Sequence, residues 1–172
     1  MFEKILIANR GEIARRIMRT CRKMNIRTVA VYSEADRGMP YVKEADEAYY
    51  IGESAPAHSY LNIAKIIETA RAAGADAIHP GYGFLAENVK FARLCEKNKI
   101  KFIGPSSKTI ELLGDKVRAK KTVLKSKVPV ITGIARSLKS KKHAIKVATK
   151  LGFPVIIKAA SGGGGKGMRV VR

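Results

Sequence analysis

The first thirty residues constrain the fold most. Glu3 to Ala8, with Ile5-Leu6-Ile7-Ala8 wholly apolar, reads as a strand buried on both faces. Asn9-Arg10-Gly11 is a turn. The next segment is amphipathic: Ile13, Ile17, Cys21 and Met24 recur on one helical face, and Arg15, Arg16, Arg19, Arg22 and Lys23 occupy the other. Thr28 to Tyr32 is a second apolar strand. Strand, helix and strand in so short a span form a βαβ unit, which commits the chain to a parallel sheet with a right-handed crossover.

The alternation continues. Ala48 to Ile51 reads as a strand. A helix opening at Ser59 or Tyr60 carries Leu61, Ile63, Ala64, Ile67 and Ala70, with Gly74 at its C-terminal cap. Ala77-Ile78 is a short strand. Pro80, Gly81 and Gly83 then fix a turn flanked by Tyr82 and Phe84, and a helix with Phe91, Ala92, Leu94 and Cys95 follows. Loops at the carboxyl ends of strands carry the ligand site in such sheets; a rigid turn packed by its two aromatic rings is the plainer reading. Ile100 to Ile103 is a strand closed by Gly104-Pro105, and Ile110, Leu112 and Leu113 suggest a short helix. Residues 1–113 thus make one αβ domain with five strands. From 114 onward the pattern restarts: a basic helix from Val117 to Ser126, a strand-like run from Val128 to Ile131, and a helix from Ser140 to Leu151 capped by Gly152.

The first turn holds a single glycine, Gly11, where a dinucleotide fingerprint needs three. Ser33, Glu34 and Asp36 end the second strand, where an acid could bind a ribose or simply belong to a polar loop.

The second unusual stretch runs from Pro154 to Val171. An apolar run stops on Lys158, five glycines fill six positions from Gly162 to Gly167 with only Lys166 between them, and a second apolar run starts at Met168. This reads as strand, loop, strand. Glycines let the backbone approach a ligand closely, and successive N–H groups form an anion-binding concavity. Lys158 and Lys166 add charge for a polyphosphate. A Walker A loop is excluded, because Gly167 follows Lys166 and no helix begins there. A flexible hairpin tip is the alternative.

The net charge of +20 invites a nucleic-acid reading. The basic residues are spread through most segments, however. The densest cluster, Lys116 to Lys150, has no interleaved aromatic rings on which bases could stack. A solvated basic surface, or attraction of anionic substrates such as nucleotides, fits better; no nucleic-acid partner is expected. No apolar run approaches the ~18 residues that span a membrane, so no membrane role is expected either. Met1-Phe2-Glu3-Lys4 leads directly into a strand and lacks the form of a signal peptide. Cys21 and Cys95 lie in helical patterns and read as free core thiols of a cytoplasmic protein.

Several motifs stand in a specific order: Ile7 to Ala14 (IANRGEIA), His79 to Asn88 (HPGYGFLAEN), Phe102-Ile103-Gly104-Pro105, Gly114-Asp115-Lys116, and Ile157 to Met168 (IKAASGGGGKGM). Over its whole length the chain closely resembles the amino-terminal part of biotin carboxylase, the module that starts acetyl-CoA, propionyl-CoA and pyruvate carboxylases. Tyr49 to Tyr60 looks most like the stand-alone biotin carboxylase component of a two-subunit pyruvate carboxylase. The resemblance implies a doubly wound α/β pre-ATP-grasp domain (1–113) followed by an incomplete ATP-grasp domain (114–172). It further implies Mg·ATP-driven activation of bicarbonate through carboxyphosphate and carboxylation of biotin on a biotin carboxyl carrier protein. A carboxyltransferase component would then use that product.

By the same resemblance, Gly162, Gly163, Gly164, Gly165, Lys166 and Gly167 form a mobile lid over the ATP phosphates, and Lys116 and Lys158 contact ATP. Tyr82 and Gly83 lie near the biotin ring. The first helix lies near a homodimer contact, with Arg19 at that position; a solvated helix face is the alternative. Where the family often has a proline-glycine turn, the chain has Ile131-Thr132-Gly133-Ile134-Ala135-Arg136. The family's metal-binding acids, bicarbonate-binding arginine and catalytic base are expected beyond Arg172. No catalytic or metal ligand is therefore assigned here, and the chain alone is expected to be inactive. Glu87 and Asp115 are expected to be helix-cap or structural acids. A strand ending at Arg172 would normally be buried against further strands, so the chain is expected to be part of something longer. Two other readings stand beside this one: another ATP-grasp ligase of the carbamoyl-phosphate or purine type, and a basic binding module.

Overall fold

The computed structural model describes residues 1–114, 116–125, 128–129, 138–159 and 167–172; of Lys116, Val117, Lys121 and Lys125 it describes the backbone. These residues divide into two compact units, Met1–Ile110 and Glu111–Arg172.

The first unit is built on five parallel strands: β1 (Lys4–Ile7), β2 (Arg27–Ser33), β3 (Glu47–Gly52), β4 (Ala77–His79) and β5 (Lys101–Phe102), in the order β3-β2-β1-β4-β5. Helices α1 (Gly11–Lys23), α2 (Pro40–Glu44), α3 (Ile63–Ala72) and α4 (Val89–Lys97) connect them, and α5 (Ser107–Gly114) follows β5. Because strand side chains alternate in direction, β1 feeds two cores. Ile5 and Ile7 pack with Ala14, Ile17, Met18 and Cys21 of α1 and with Tyr41 of α2. Leu6 and Ala8 join Ile66, Ile67 and Ala70 of α3 and Phe91, Ala92 and Cys95 of α4. Helices cover both faces, so the sheet is doubly wound and its strands read as continuous apolar runs. Both cysteines are free and buried. Among the described residues, no helix is long and apolar enough to cross a membrane.

Several boundaries differ from those expected. α3 starts at Ile63, not at Ser59 or Tyr60. Asn62 is its N-cap, accepting from the Lys65 N–H at 3.1 Å. Ser59 and Tyr60 are buried one turn earlier and Leu61 faces solvent. Met24 is not on the packed face of α1; it lies past the last turn and is half exposed, and Ala14 and Met18 fill that role. Asn88, not Glu87, caps α4 by accepting from the Phe91 N–H at 3.0 Å. Leu112 and Leu113 of α5 are exposed, and only Ser107 and Ile110 are buried.

Gly52 ends β3 in a conformation closed to other residues. Its φ is +137°, and a Cβ there would sit 2.1 Å from the His58 carbonyl oxygen. The obstacle is backbone, so it cannot swing aside. Gly52→Ala is expected to destabilise the protein by about 2–4 kcal/mol, read as a lowered midpoint in thermal or urea unfolding. A midpoint equal to that of the unsubstituted protein would show that the chain relaxes around this point.

The second unit holds α6 (Lys116–Lys125), α7 (Lys141–Leu151) and the antiparallel pair β6 (Val155–Lys158) and β7 (Met168–Val171). Ser140 caps α7, accepting from the His143 N–H at 3.2 Å, and Gly152 follows its last turn with φ +82°. Val128 and Pro129 belong to neither helix nor strand; the rest of that expected strand, with the 131–136 segment and Asp115, lies outside the described residues.

Candidate functional site

Strand order reverses between β1 and β4. In an open parallel sheet that reversal opens a crevice at the carboxyl ends of the two strands, where ligands bind. The loops flanking it are Asn9–Arg10 and Pro80–Asn88. They are held together from the strand ends outward. The Ala8 N–H donates to the His79 carbonyl at 2.9 Å, extending the pairing by one residue. The buried Asn9 amide then donates from Nδ2 to the carbonyls of both Pro80 and Tyr82, each at 2.8 Å. Its Oδ1 accepts from the Arg10 N–H at 2.9 Å.

Gly81 passes so close to this amide that a Cβ would lie 2.6 Å from Asn9 Nδ2 and 2.7 Å from Ile13 Cγ2, at φ +64°. Only glycine fits there. The Gly81 N–H donates to His79 Nδ1 at 3.0 Å, which requires that nitrogen to be unprotonated. Burial lowers the His79 pKa below the usual imidazole value and so favours that neutral form. Farther along the loop, Phe84 stacks on Tyr60 at 5.1 Å and Leu85 is buried. Tyr82 and Gly83 remain exposed at the mouth. Tyr82 is 65% exposed, and its hydroxyl donates to Glu12 Oε1 at 3.2 Å.

Beside this crevice lies a buried polar cluster. Asp36 is 1% exposed. It accepts from Arg10 Nε at 2.6 Å, from Arg10 Nη2, from the Tyr60 hydroxyl at 2.5 Å and from Ser33 Oγ at 3.2 Å. Tyr60 in turn accepts from the Ser33 N–H at 3.0 Å and lies 2.9 Å from the Tyr41 hydroxyl. The Arg10 guanidinium, with the Tyr60 and Ser33 donors, holds the Asp36 carboxyl below the usual carboxylate range against the opposing effect of burial. The ribose role left open for Ser33, Glu34 and Asp36 is therefore not what the structure builds: Asp36 is consumed internally, and Glu34 pairs with Arg37 at 2.9 Å on the surface.

In the second unit the register of β6 and β7 pairs Lys158 with Met168, and the Ala159 N–H donates to the Gly167 carbonyl at 3.0 Å. The hairpin thus closes at the two residues that bound the glycine loop. Gly167 has φ +72°. Lys158 is exposed on the last residue of β6. Lys116 is the first residue of α6, with its side chain outside what is described. Gly162, Gly163, Gly164, Gly165 and Lys166 lie outside the described residues. From Lys116 to Arg172 the sequence contains no Asp or Glu, so the hairpin sits in a segment of uniformly positive charge. Among the described residues, no cluster of three or more His, Cys, Asp or Glu could hold a metal ion, and these side chains do not fit a Mg site.

The Tyr82 loop and the glycine hairpin are visible in the sequence, whereas Asn9-Arg10-Gly11 reads there as a plain turn. The available signal was positional: Arg10 and Asp36 each stand three residues past the ends of the adjacent parallel strands β1 and β2, which places them side by side.

Comparison with known proteins gives the same division. The model of the biotin carboxylase N-terminal domain matches residues 1–110, and that of the carbamoyl-phosphate synthase L chain ATP-binding domain matches residues 115–172. The chain is 55% identical over 172 residues to biotin carboxylase of Halalkalibacterium halodurans, covering 100% of this chain and 38% of that one. It is 54% identical over 171 residues to biotin carboxylase 2 of Bacillus subtilis, covering 99% of this chain and 38% of that protein. Among solved structures, the biotin carboxylase–beta-gamma-ATP complex from Campylobacter jejuni superposes with a TM-score of 0.96 at 51% identity, over 99% of this chain and 38% of that one. The biotin carboxylase domain dimer of Hydrogenobacter thermophilus 2-oxoglutarate carboxylase, in complex with MgADP, ADP and bicarbonate, superposes at 0.95 and 51% identity, over 100% and 38%. The chain therefore spans a little over a third of the length of these relatives. With a matching domain model over its first 110 residues and whole-length likeness to biotin carboxylases in both sequence and fold, the chain belongs to the biotin carboxylase family.

Proposed function

We propose that the chain is the amino-terminal part of an enzyme that uses ATP and bicarbonate to carboxylate biotin on a carrier protein by way of carboxyphosphate. The observation that carries this reading is likeness over the entire chain, at more than half of its positions, to proteins named biotin carboxylase. In this reading residues 114–172 begin the ATP-grasp domain. Gly162 to Gly167 supply backbone N–H groups to the ATP phosphates, and Lys116, Lys158 and Lys166 neutralise their charge. Phosphoryl transfer depends chiefly on such positioning and charge neutralisation, and a closing lid would keep water from an activated intermediate. Mg accompanies ATP, with its ligands beyond Arg172. Tyr82 and Gly83, at the mouth of the first unit's crevice, border the biotin ring. A carboxyltransferase component takes the product, a homodimer forms with exposed Arg19 at its contact, and the enzyme is cytoplasmic. This chain alone is inactive.

One observation favours a second reading, a carbamoyl-phosphate-type ligase: the family model matched by residues 115–172. Biotin dependence separates the two. Phosphate release from ATP by the full-length enzyme is expected to require bicarbonate and to rise several-fold on adding biotin. Release that ammonia stimulates and biotin does not would favour the second reading.

A further inference from the structure

Tyr82 has the environment of a group held in place. Its loop carries no regular hydrogen-bond ladder, its ring is largely exposed, and yet its backbone is held by Asn9 in the turn after β1 and its hydroxyl by Glu12 in the first turn of α1. Asn9 grips the main chain on either side of Gly81 through two hydrogen bonds from a single amide, one to the Pro80 carbonyl in a buried setting and one to the part-buried Tyr82 carbonyl. Gly81 lies flat against that amide with no room for a Cβ. Glu12, one turn along, accepts the Tyr82 hydroxyl across a separation of seventy residues. The anchor is itself immobilised: Arg10, between Asn9 and Glu12, is locked onto buried Asp36.

We propose that Asn9 and Glu12 are positioning residues for biotin: Asn9 sets the path of the Pro80–Gly83 backbone and Glu12 the direction of the Tyr82 ring, so that the turn after β1 shapes the biotin-facing edge of the crevice. This rests on the assignment of Tyr82 to the biotin site. Asn9→Asp is the informative change. It keeps the size and the acceptor for the Arg10 N–H while replacing the shared donor with an oxygen that faces two carbonyl oxygens.

The test is steady-state kinetics of the full-length enzyme with free biotin, together with amide hydrogen exchange of the 80–88 segment. Asn9→Asp is expected to raise the KM for biotin about tenfold with the KM for ATP unchanged within twofold, and to speed exchange in 80–88 without speeding it in β1 and β2. Glu12→Ala, at an exposed site that leaves folding intact, is expected to raise the biotin KM about threefold by the same split. Unchanged biotin KM in Glu12→Ala overturns the proposal, even if Asn9→Asp fails to fold. Equal losses toward ATP and biotin in Asn9→Asp, or unaltered exchange in 80–88, overturn it too. Tyr82→Ala in the same assay separates the two levels. If it raises the biotin KM while Asn9→Asp and Glu12→Ala do not, only the positioning roles fail. If it leaves the biotin KM unchanged, the assignment of Tyr82 fails and the proposal with it.

Discussion

Arg10→Met is expected to destabilise the protein by about 3–5 kcal/mol, more than Asp36→Asn does. The asymmetry follows from burial. The Asp36 side chain is 2% exposed and that of Arg10 is 44%. Removing Arg10 leaves an anion in the interior with only hydroxyl donors, and breaking a buried pair in that sense costs about 3–5 kcal/mol. Removing the charge of Asp36 leaves a guanidinium that can turn to water, so the loss is mainly of hydrogen bonds, about 1–2 kcal/mol.

The pH dependence has a definite sign. The folded-state pKa of Asp36 is lowered, so the pair contributes its full stability above the ordinary Asp value of about 3.9. That contribution is lost as pH falls below this value and through the depressed one. Urea unfolding at pH 7 and at pH 3 measures this. The gap between the unsubstituted protein and Arg10→Met should be wide at pH 7 and narrower at pH 3. A gap that is small at pH 7, or constant with pH, would mean that the pair adds little.

The second large effect concerns the nucleotide. Lys116→Met with Lys158→Met is expected to weaken ATP binding by the full-length enzyme about a hundredfold. A charge-assisted contact is worth about 1.5–3 kcal/mol, and two at the lower value give about 3 kcal/mol, or two decades in Kd. The lower value is appropriate because Lys158 is exposed at the hairpin end and its field is screened. Stability should change little on removing the Lys158 charge, because Lys158 is exposed at the end of β6, where a charge contributes about 0–1 kcal/mol. Calorimetric titration with ATP measures the loss. A double variant that binds ATP within twofold of the unsubstituted enzyme would remove both lysines from the site.

Most of the first unit was legible because a parallel sheet buries both faces of its strands. Ile5-Leu6-Ile7-Ala8 and Val29-Ala30-Val31 had to be apolar throughout, and such runs separated by one amphipathic helix admit few topologies. The glycine hairpin was legible for a similar reason, since few other structures use so many glycines between two apolar runs. What stayed hidden was long-range and polar. Ser59 and Tyr60 read as a helix start, but the Tyr60 hydroxyl is drawn into the interior by Ser33 and Asp36, and the helix begins only after Asn62. Nothing local in Asn9 announces that it will hold carbonyls more than seventy residues away. α2, five residues opened by Pro40, was too short for a helical period to register.

The most direct measurement is transfer of carbon from labelled bicarbonate to biotin by the full-length enzyme. Label is expected in biotin only when ATP is present, with one phosphate released for each carbon transferred. Release of phosphate from ATP with bicarbonate and biotin both present, and no label in biotin, would contradict the assignment of biotin as the acceptor.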